Sequence, residues 1–348
     1  MQSIEPDSEP IAGSLDALQG TAPFPRLVGD VGGTRARFGY VPRVGGRIER
    51  IAELACDDFP GLEAAVDSYR KAQGVPPLAA AAIAIGGAVT GDLVSMTNRG
   101  WSFSTRSLRR CLGIDRLLIL NDFAALALSL PTLADDELRR IGGGVAVTGE
   151  AIALLGPGTG LGVAGLLRRS EATLPLVGEG GHATLSAADE TEELVIVYLR
   201  SEFGHASAER ALSGGGLVNL YRFVRARAGG AAQDLSPVDV TAAAMAGSDD
   251  ACVEAVDIFF GLLGGFAGNL ALTLGARGGV YIGGGIVGRL GDWIDRSSFR
   301  SRFEAKGRFA NYLSSIPVWL IEPGSPPALR GANAALDGWR GPQQGNAR

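Results

Sequence analysis

A glycine corner with a carboxylate at its entrance most narrows what this 348-residue chain can become. The run Leu27-Val28-Gly29-Asp30-Val31-Gly32-Gly33-Thr34-Arg35-Ala36-Arg37 sets two short apolar segments on either side of a Gly-Gly-Thr turn, the pattern of a β-hairpin. Glycine accepts positive φ there and lets another molecule approach the backbone. Successive N–H groups at such a corner make a concavity for an anion, read here as a nucleotide phosphate. Asp30, at the end of the first segment, then faces that anion, which makes sense only with a divalent cation between them. Taken singly, the motif also fits an ordinary hairpin with a surface aspartate.

A second copy changes the weight. Ala153-Leu154-Leu155-Gly156-Pro157-Gly158-Thr159-Gly160-Leu161-Gly162-Val163-Ala164 repeats the order of apolar strand, Gly/Thr corner and apolar strand. Thr159 follows Thr34 by about 125 positions, roughly one domain length. Two such hairpins, each opening its own α/β unit, point to a duplicated fold. The layout resembles the actin, hexokinase and Hsp70 superfamily. That resemblance implies an α/β chain of two ribonuclease-H-like (actin-like ATPase) domains with a nucleotide and sugar cleft between them.

The elements follow that plan. Strands are expected at 26–30, 35–41 and 47–55, a helix over 61–73 from Leu62, Val66 and Tyr69 at helical spacing, and a small-residue buried strand over 80–85. Ser104 or Thr105 starts a helix that Gly113 stops, and the strand 116–120 delivers Asn121-Asp122 at its carboxyl end. Pro131 and 135–144 read as the crossing between lobes. The second unit should hold strands near 151–156, 161–168, 172–177, 279–282 and 318–321, and helices near 189–203, 215–228, 237–246 and 250–275. A last helix near 328–336 returns to the first lobe. The domains are therefore expected as a mobile extension over 1–25, a smaller α/β domain of 26–131 with 324–340, and a larger one over 132–323.

Charge and composition exclude several functions. A net charge of −5 argues against a nucleic-acid partner, which needs a basic face. The two lysines, Lys71 and Lys306, adjoin no glycine loop, so a Walker A loop is excluded. Cys56, Cys111 and Cys252 fit no zinc spacing or disulfide framework, and the only histidines are His182 and His205, so no protein-bound metal is expected and the cytoplasm is the expected address. Residues 1–25 lack Arg and Lys and match no signal or transit peptide. The uncharged stretch Ile258–Ala276 is long enough to span a bilayer but carries five glycines, and reads as a buried helix between lobes.

Asp122 is the catalytic candidate, since a carboxylate at the carboxyl end of a buried strand points into the ligand crevice of an α/β sheet. Phosphoryl transfer to an alcohol needs a base on the hydroxyl and a metal-bound nucleotide in line with it. Its bland alternative is a helix N-cap. Gly178-Glu179-Gly180-Gly181-His182 sets a carboxylate and an imidazole on a glycine-flanked loop, and Glu209 adds a carboxylate near a helix start; both groups suit vicinal hydroxyls. The alternatives there are an exposed first-turn acid for Glu209 and a structural role for His182. Gly283-x-Gly285-x-x-Gly288 formally matches a dinucleotide fingerprint, but too little chain follows for a Rossmann half, so it reads as a shelf for adenosine.

The ordered motifs G-D-V-G-G-T, I-L-N-D-F, G-P-G-T-G-L-G, G-E-G-G-H, S-A-E-R-A-L-S-G and G-G-V-Y-I-G-G-G-I-V together look like the bacterial glucokinase family of the hexokinase superfamily, from about Arg26 to Leu336. The cysteine-rich zinc motif of ROK-type relatives is missing, which fits the other glucokinase branch. The resemblance implies that Gly29, Asp30, Val31, Gly32, Gly33, Thr34, Gly158, Thr159 and Gly160 hold the phosphates of ATP, supplied with Mg²⁺, and that Gly284 lies near the adenosine. It makes Asp122 the base for the sugar 6-hydroxyl and assigns Asn98, Asn121, Glu179, His182 and Glu209 to the sugar hydroxyls. It further implies a homodimer that acts on glucose, closes around it, and uses neither nucleic acid nor membrane. A kinase of mannose, fructose or an amino sugar, or a non-catalytic sugar-sensing regulator, are the alternatives. Two positions depart from the family pattern: Arg35 stands where Asn is usual, and Gly214-Gly215-Gly216 replaces a Gly-Pro-Gly type loop, expected to loosen the turn after Glu209.

Overall fold

The computed structural model describes residues 22–338 apart from 88, 90, 97, 98, 170, 171 and 323–326. The chain divides into two compact units, one of Met1–Leu133, Ser170–Leu174 and Ser325–Arg348, the other of Ala134–Arg169 and Pro175–Gly324.

In the first unit β1 (Arg26–Val31), β2 (Arg35–Val41) and β3 (Glu49–Ala55) lead to α1 (Leu62–Ala72) and β4 (Ala80–Ile85). A two-stranded ribbon of β5 (Leu93–Ser95) and β6 (Ser102–Ser104) precedes α2 (Thr105–Leu112), β7 (Arg116–Asn121) and α3 (Asp122–Ser129). The five-stranded sheet runs β3-β2-β1-β4-β7. β1 pairs antiparallel with β2 across the glycine corner and parallel with β4, and β4 parallel with β7. Val31, Ile85 and Asn121 are therefore level with one another, so three strands end at one rim. β4 (AAAIAI) is buried throughout, as a strand covered on both faces must be. The helix Pro327–Leu336 packs on α3, β1 and β4. Fully buried Arg26 ties it down, donating to Asn333 Oδ1 at 2.9 Å and pairing with Asp337 Oδ1 at 2.7 Å.

The ribbon was not foreseen, since only three residues pair on each side. Its anchor is Asp92, whose carboxylate accepts from Ser104 Oγ and Thr105 Oγ1 at 2.8 Å and from Arg106 N at 2.9 Å. Those bonds, the Arg106 amide foremost, hold the Asp92 carboxyl below the usual carboxylate range. Ser104 caps α2 and Gly113, at φ 65°, ends it.

The second unit holds β8 (Leu138–Ile141), β9 (Ile152–Pro157), β10 (Leu161–Arg169), β11 (Ala172–Gly178), α4 (Glu190–Phe203), α5 (Gly214–Arg227), α6 (Pro237–Ala246) and α7 (Asp250–Leu274). It continues through β12 (Val280–Ile282), α8 (Gly285–Leu290), α9 (Trp293–Arg296), α10 (Phe299–Glu304), α11 (Ala310–Ser314) and β13 (Val318–Ile321). Its sheet runs β11-β10-β9-β12-β13-β8, and the β9–β10 hairpin is again followed by two parallel strands. That is the wiring of the first unit repeated. Within 135–144, read from the sequence as the crossing between lobes, Leu138-Arg139-Arg140-Ile141 forms β8, an unforeseen edge strand antiparallel to β13. Charged residues are at home on such an edge, and Arg139 reaches Glu322 Oε1 at 3.0 Å and the Gly291 carbonyl at 2.9 Å.

The apolar helix α7 has a window of mean hydropathy 1.6 that is 67% buried within the protein. A Cβ at Gly264 or Gly268 would run into the Phe299 or Phe303 carbonyl of α10. The glycines therefore serve close helix packing, as expected of an inner helix.

Candidate active site

The first corner shows how a hairpin can present backbone donors. Its carbonyls are tied back: Thr34 O accepts from Cys56 N at 2.9 Å, Gly33 O from Arg99 Nη1 at 3.0 Å, and Gly32 O from Cys56 Sγ at 3.6 Å. Gly32 N closes the turn onto Arg35 O at 2.9 Å. The N–H groups of Gly33 and Thr34 have no partner among the described residues. Two adjacent free donors on a fixed turn are what a phosphate oxygen requires. Gly29 and Val31 have a different place. A Cβ on Gly29 would meet the Phe38 ring at 3.0 Å and Ile83 Cγ2 at 3.1 Å, and Val31 is fully buried, so both are sheet residues beneath the corner.

Asp30 sits opposite Arg37 across the hairpin. Burial pushes its carboxyl above the usual range, with Arg37 opposing, and Glu53 adding to the rise. Glu53 is itself bridged by Arg35 and Arg37, so Arg35 is engaged beside the corner. A raised native value means that the folded state holds this proton more tightly than the unfolded chain. Stability is therefore lost as pH rises from 3.8, the ordinary value, through the native one. Asp30→Asn should raise the melting temperature of the ligand-free protein at pH 7, with the gain vanishing as pH approaches 3.8. Equal melting temperatures at pH 7 would contradict the burial argument.

At the same rim, Asn121 rather than Asp122 caps α3, its Oδ1 accepting from Phe123 N at 2.9 Å and Ala124 N at 3.2 Å. Asn121 Nδ2 donates to Gly87 O at 3.3 Å, and its second hydrogen has no partner among the described residues. Asp122 is the first helical residue, and its Oδ1 also accepts from Phe123 N, at 2.9 Å. Its Oδ2 lies beside Gly86, 3.6 Å from where a Cβ would stand. A bulkier residue at 86 would crowd the carboxylate. Asn98 lies outside the described residues.

In the second unit, Gly158 N closes its corner onto Gly160 O at 2.8 Å, and Thr159 and Gly160 keep N–H groups without a partner among the described residues. Glu209 Oε2 accepts from Leu161 N at 2.9 Å, so this carboxylate fixes the end of the corner. Behind it, Ser213 Oγ donates to Glu209 O at 2.8 Å and accepts from Gly216 N at 2.9 Å, while Gly214 N donates to Gly158 O at 2.9 Å. The three-glycine turn is thus tightly held, contrary to the loosening expected from sequence. Gly216 has no room for a Cβ against the Ala211 carbonyl.

Glu179 and His182 flank one 3-10 turn and are exposed, with His182 N donating to Glu179 O at 3.0 Å. Gly181 presses on the Leu161 carbonyl, where a Cβ would clash. Leu161 therefore gathers Glu179, His182, Glu209 and the corner into one cluster. His205 stands apart, sharing a hydrogen bond of 2.8 Å with Thr184 Oγ1. Gly284, at φ 89°, lies against the Pro157 carbonyl, directly behind the corner.

The structure thus makes two groups, one per unit: Asp30, the Gly32–Thr34 corner, Asn121 and Asp122 in the first, and Gly158–Gly160, Glu179, His182, Glu209 and Gly284 in the second. Sequence reasoning missed Arg37 and Arg99, whose partners are remote in the chain, and Ser213, which bonds the Glu209 carbonyl and the Gly216 amide within its own turn. No group of three or more His, Cys, Asp or Glu among the described residues is arranged to hold a metal.

The family model described as Glucokinase matches residues 27–338. A glucokinase from Aromatoleum aromaticum is 52% identical over 315 residues, covering 90% of this chain and 95% of that protein. One from Chromobacterium violaceum is 50% identical over 313 residues, covering 90% and 89%. The crystal structure of a glucokinase from an Antarctic psychrotroph superposes with a TM-score of 0.82 at 34% identity, over 90% of this chain and 98% of that one. With about half its residues shared along nine-tenths of its length, and each unit built on a corner hairpin followed by two parallel strands, this chain belongs to the glucokinase family and has its two-domain actin-like ATPase fold.

Proposed function

We infer that this chain transfers the γ-phosphoryl group of ATP to the 6-hydroxyl of glucose, giving glucose 6-phosphate and ADP. The observation that carries the reading is the rim of the first sheet, where Asp122 directly follows Asn121, level with Val31 at the entrance to a corner whose Gly33 and Thr34 N–H groups have no partner among the described residues. Phosphoryl transfer depends on positioning and charge stabilisation more than on covalent chemistry, and these residues supply both. Asp122 takes the proton from the attacking hydroxyl. The N–H groups of Gly33, Thr34, Thr159 and Gly160 hold phosphate oxygens, and Gly284 lies by the adenosine. Mg²⁺ enters with the nucleotide as part of the substrate. Asp30 suits that side of the site, because a nearby cation offsets the cost of its buried charge.

Asn98, Asn121, Glu179, His182 and Glu209 bind the ring hydroxyls. A site built on such hydrogen bonds discriminates strongly, since a sugar lacking a partner hydroxyl leaves a polar group unpaired. We also read the chain as a cytoplasmic homodimer, by likeness to its family. The test is to incubate the protein with Mg-ATP and an equimolar mixture of glucose, mannose, fructose and glucosamine, and to identify the phosphorylated products. Glucose 6-phosphate should dominate, with ADP release dependent on glucose. Another dominant product would move the specificity, and sugar-independent or absent ADP release would end the reading.

A further inference from the structure

We propose that Arg99 is a positioning residue of the transfer reaction, holding the Gly32-Gly33-Thr34 corner in its anion-binding shape; this deepens the reading above and rests on its assignment of the corner to nucleotide phosphate. The guanidinium Nη1 donates to the Gly33 carbonyl at 3.0 Å and to Asp57 Oδ1 at 2.8 Å. Its Cζ lies 4.7 Å from the ring centroid of Trp101, itself buried in the core. The side chain is only 16% exposed, whereas Asp57 is 80% exposed. The bond to Gly33 is therefore the sheltered one, and the ion pair is largely screened.

The geometry gives that bond a consequence. A peptide unit is planar, so fixing the Gly33 carbonyl fixes the Thr34 N–H on the opposite side of the same unit. Cys56 N does the same from the Thr34 carbonyl, orienting the next peptide. Without Arg99, the glycine-rich turn is free to rotate that peptide, and glycine has the widest choice of alternatives. A positive charge behind the carbonyl also adds to the attraction for phosphate. Arg99 follows Asn98 directly in the chain, so the segment assigned to the sugar braces the segment assigned to the phosphates. Glu209 makes the corresponding link in the second unit, through Leu161 N.

The decisive measurement is the dissociation constant of a non-hydrolysable ATP analogue with Mg²⁺, by calorimetry on the full chain without sugar. Arg99→Met keeps the aliphatic stem and removes the donor, and it should weaken the analogue roughly ten-fold or more, the ordinary consequence of deleting a charged hydrogen-bond donor. Arg99→Lys can still donate to Gly33 O and should recover most of that loss. Asp57→Asn should stay within about two-fold of wild type. A purely structural role would lower the number of binding-competent molecules and leave the dissociation constant unchanged, which would overturn the proposal. So would a lysine variant as weak as the methionine one, or an equal loss in Asp57→Asn. Glucose phosphorylation by the wild type is assayed separately. A protein that fails there, while Arg99→Met still weakens the nucleotide, loses the sugar-kinase reading and keeps this one.

Discussion

Asp122→Asn should lower kcat by roughly 10²–10⁴, the usual worth of a positioned general base, while the dissociation constant of glucose stays within a few-fold of wild type. The substitution is nearly isosteric. The amide oxygen can take over the bond that Oδ1 now accepts from Phe123 N at 2.9 Å. The cap of α3 is unaffected, because Asn121 supplies it. What disappears is the ability to accept the proton of a reacting hydroxyl, a loss felt in the transition state and hardly in the ground state. The measurement is a coupled ADP-release assay at saturating glucose and Mg-ATP, beside calorimetric glucose binding. Activity within ten-fold of wild type would remove Asp122 from the base role. Equal losses in kcat and in glucose affinity would instead mark it as a binding residue.

The hairpin corners, the parallel strands behind them and the placement of Asp122 at a strand end were legible because each is local. A Gly-Gly-Thr turn between apolar runs needs no distant partner to be recognised, and a strand such as Ala80–Ile85 announces its burial in its own composition. What escaped depends on pairing across the chain. β8 carries two arginines in four residues, and nothing within it says that β13 lies alongside. Asn121 and Asp122 both favour a helix start, and only the backbone shows which of them caps. Gly29 reads as part of a glycine motif, yet the structural reason for it is the Phe38 ring across the hairpin. The three-glycine turn after Glu209 looks loose in sequence and is firm in the fold. Its stiffness comes from Ser213 and from the Gly158 carbonyl, which lies more than fifty residues away in the chain.

Gly331→Ala is expected to be among the most damaging single changes outside the polar site, and its sign separates two physical effects. Gly331 lies inside the helix Pro327–Leu336, where intrinsic propensity alone would make alanine stabilising by about 1 kcal/mol. Packing says the opposite. A Cβ at 331 would overlap the carbonyl oxygen of Ala125 in α3 and crowd its carbon behind. The obstacle is backbone, so no rotamer change can relieve it, and the two helices must separate. Overpacking of this kind costs about 3 kcal/mol, enough to lower the melting temperature by roughly 5–10 °C. α3 carries Asp122 at its first turn, so displacement of that helix should also lower kcat while both substrates still bind. Gly265→Ala, in α7 where a Cβ meets nothing within 4 Å, supplies the comparison and should be neutral or stabilising. Differential scanning calorimetry of both variants decides the matter. A Gly331→Ala protein that melts at or above wild type would mean that the C-terminal helix does not press on α3 as described, and the rigid support inferred for Asp122 would go with it.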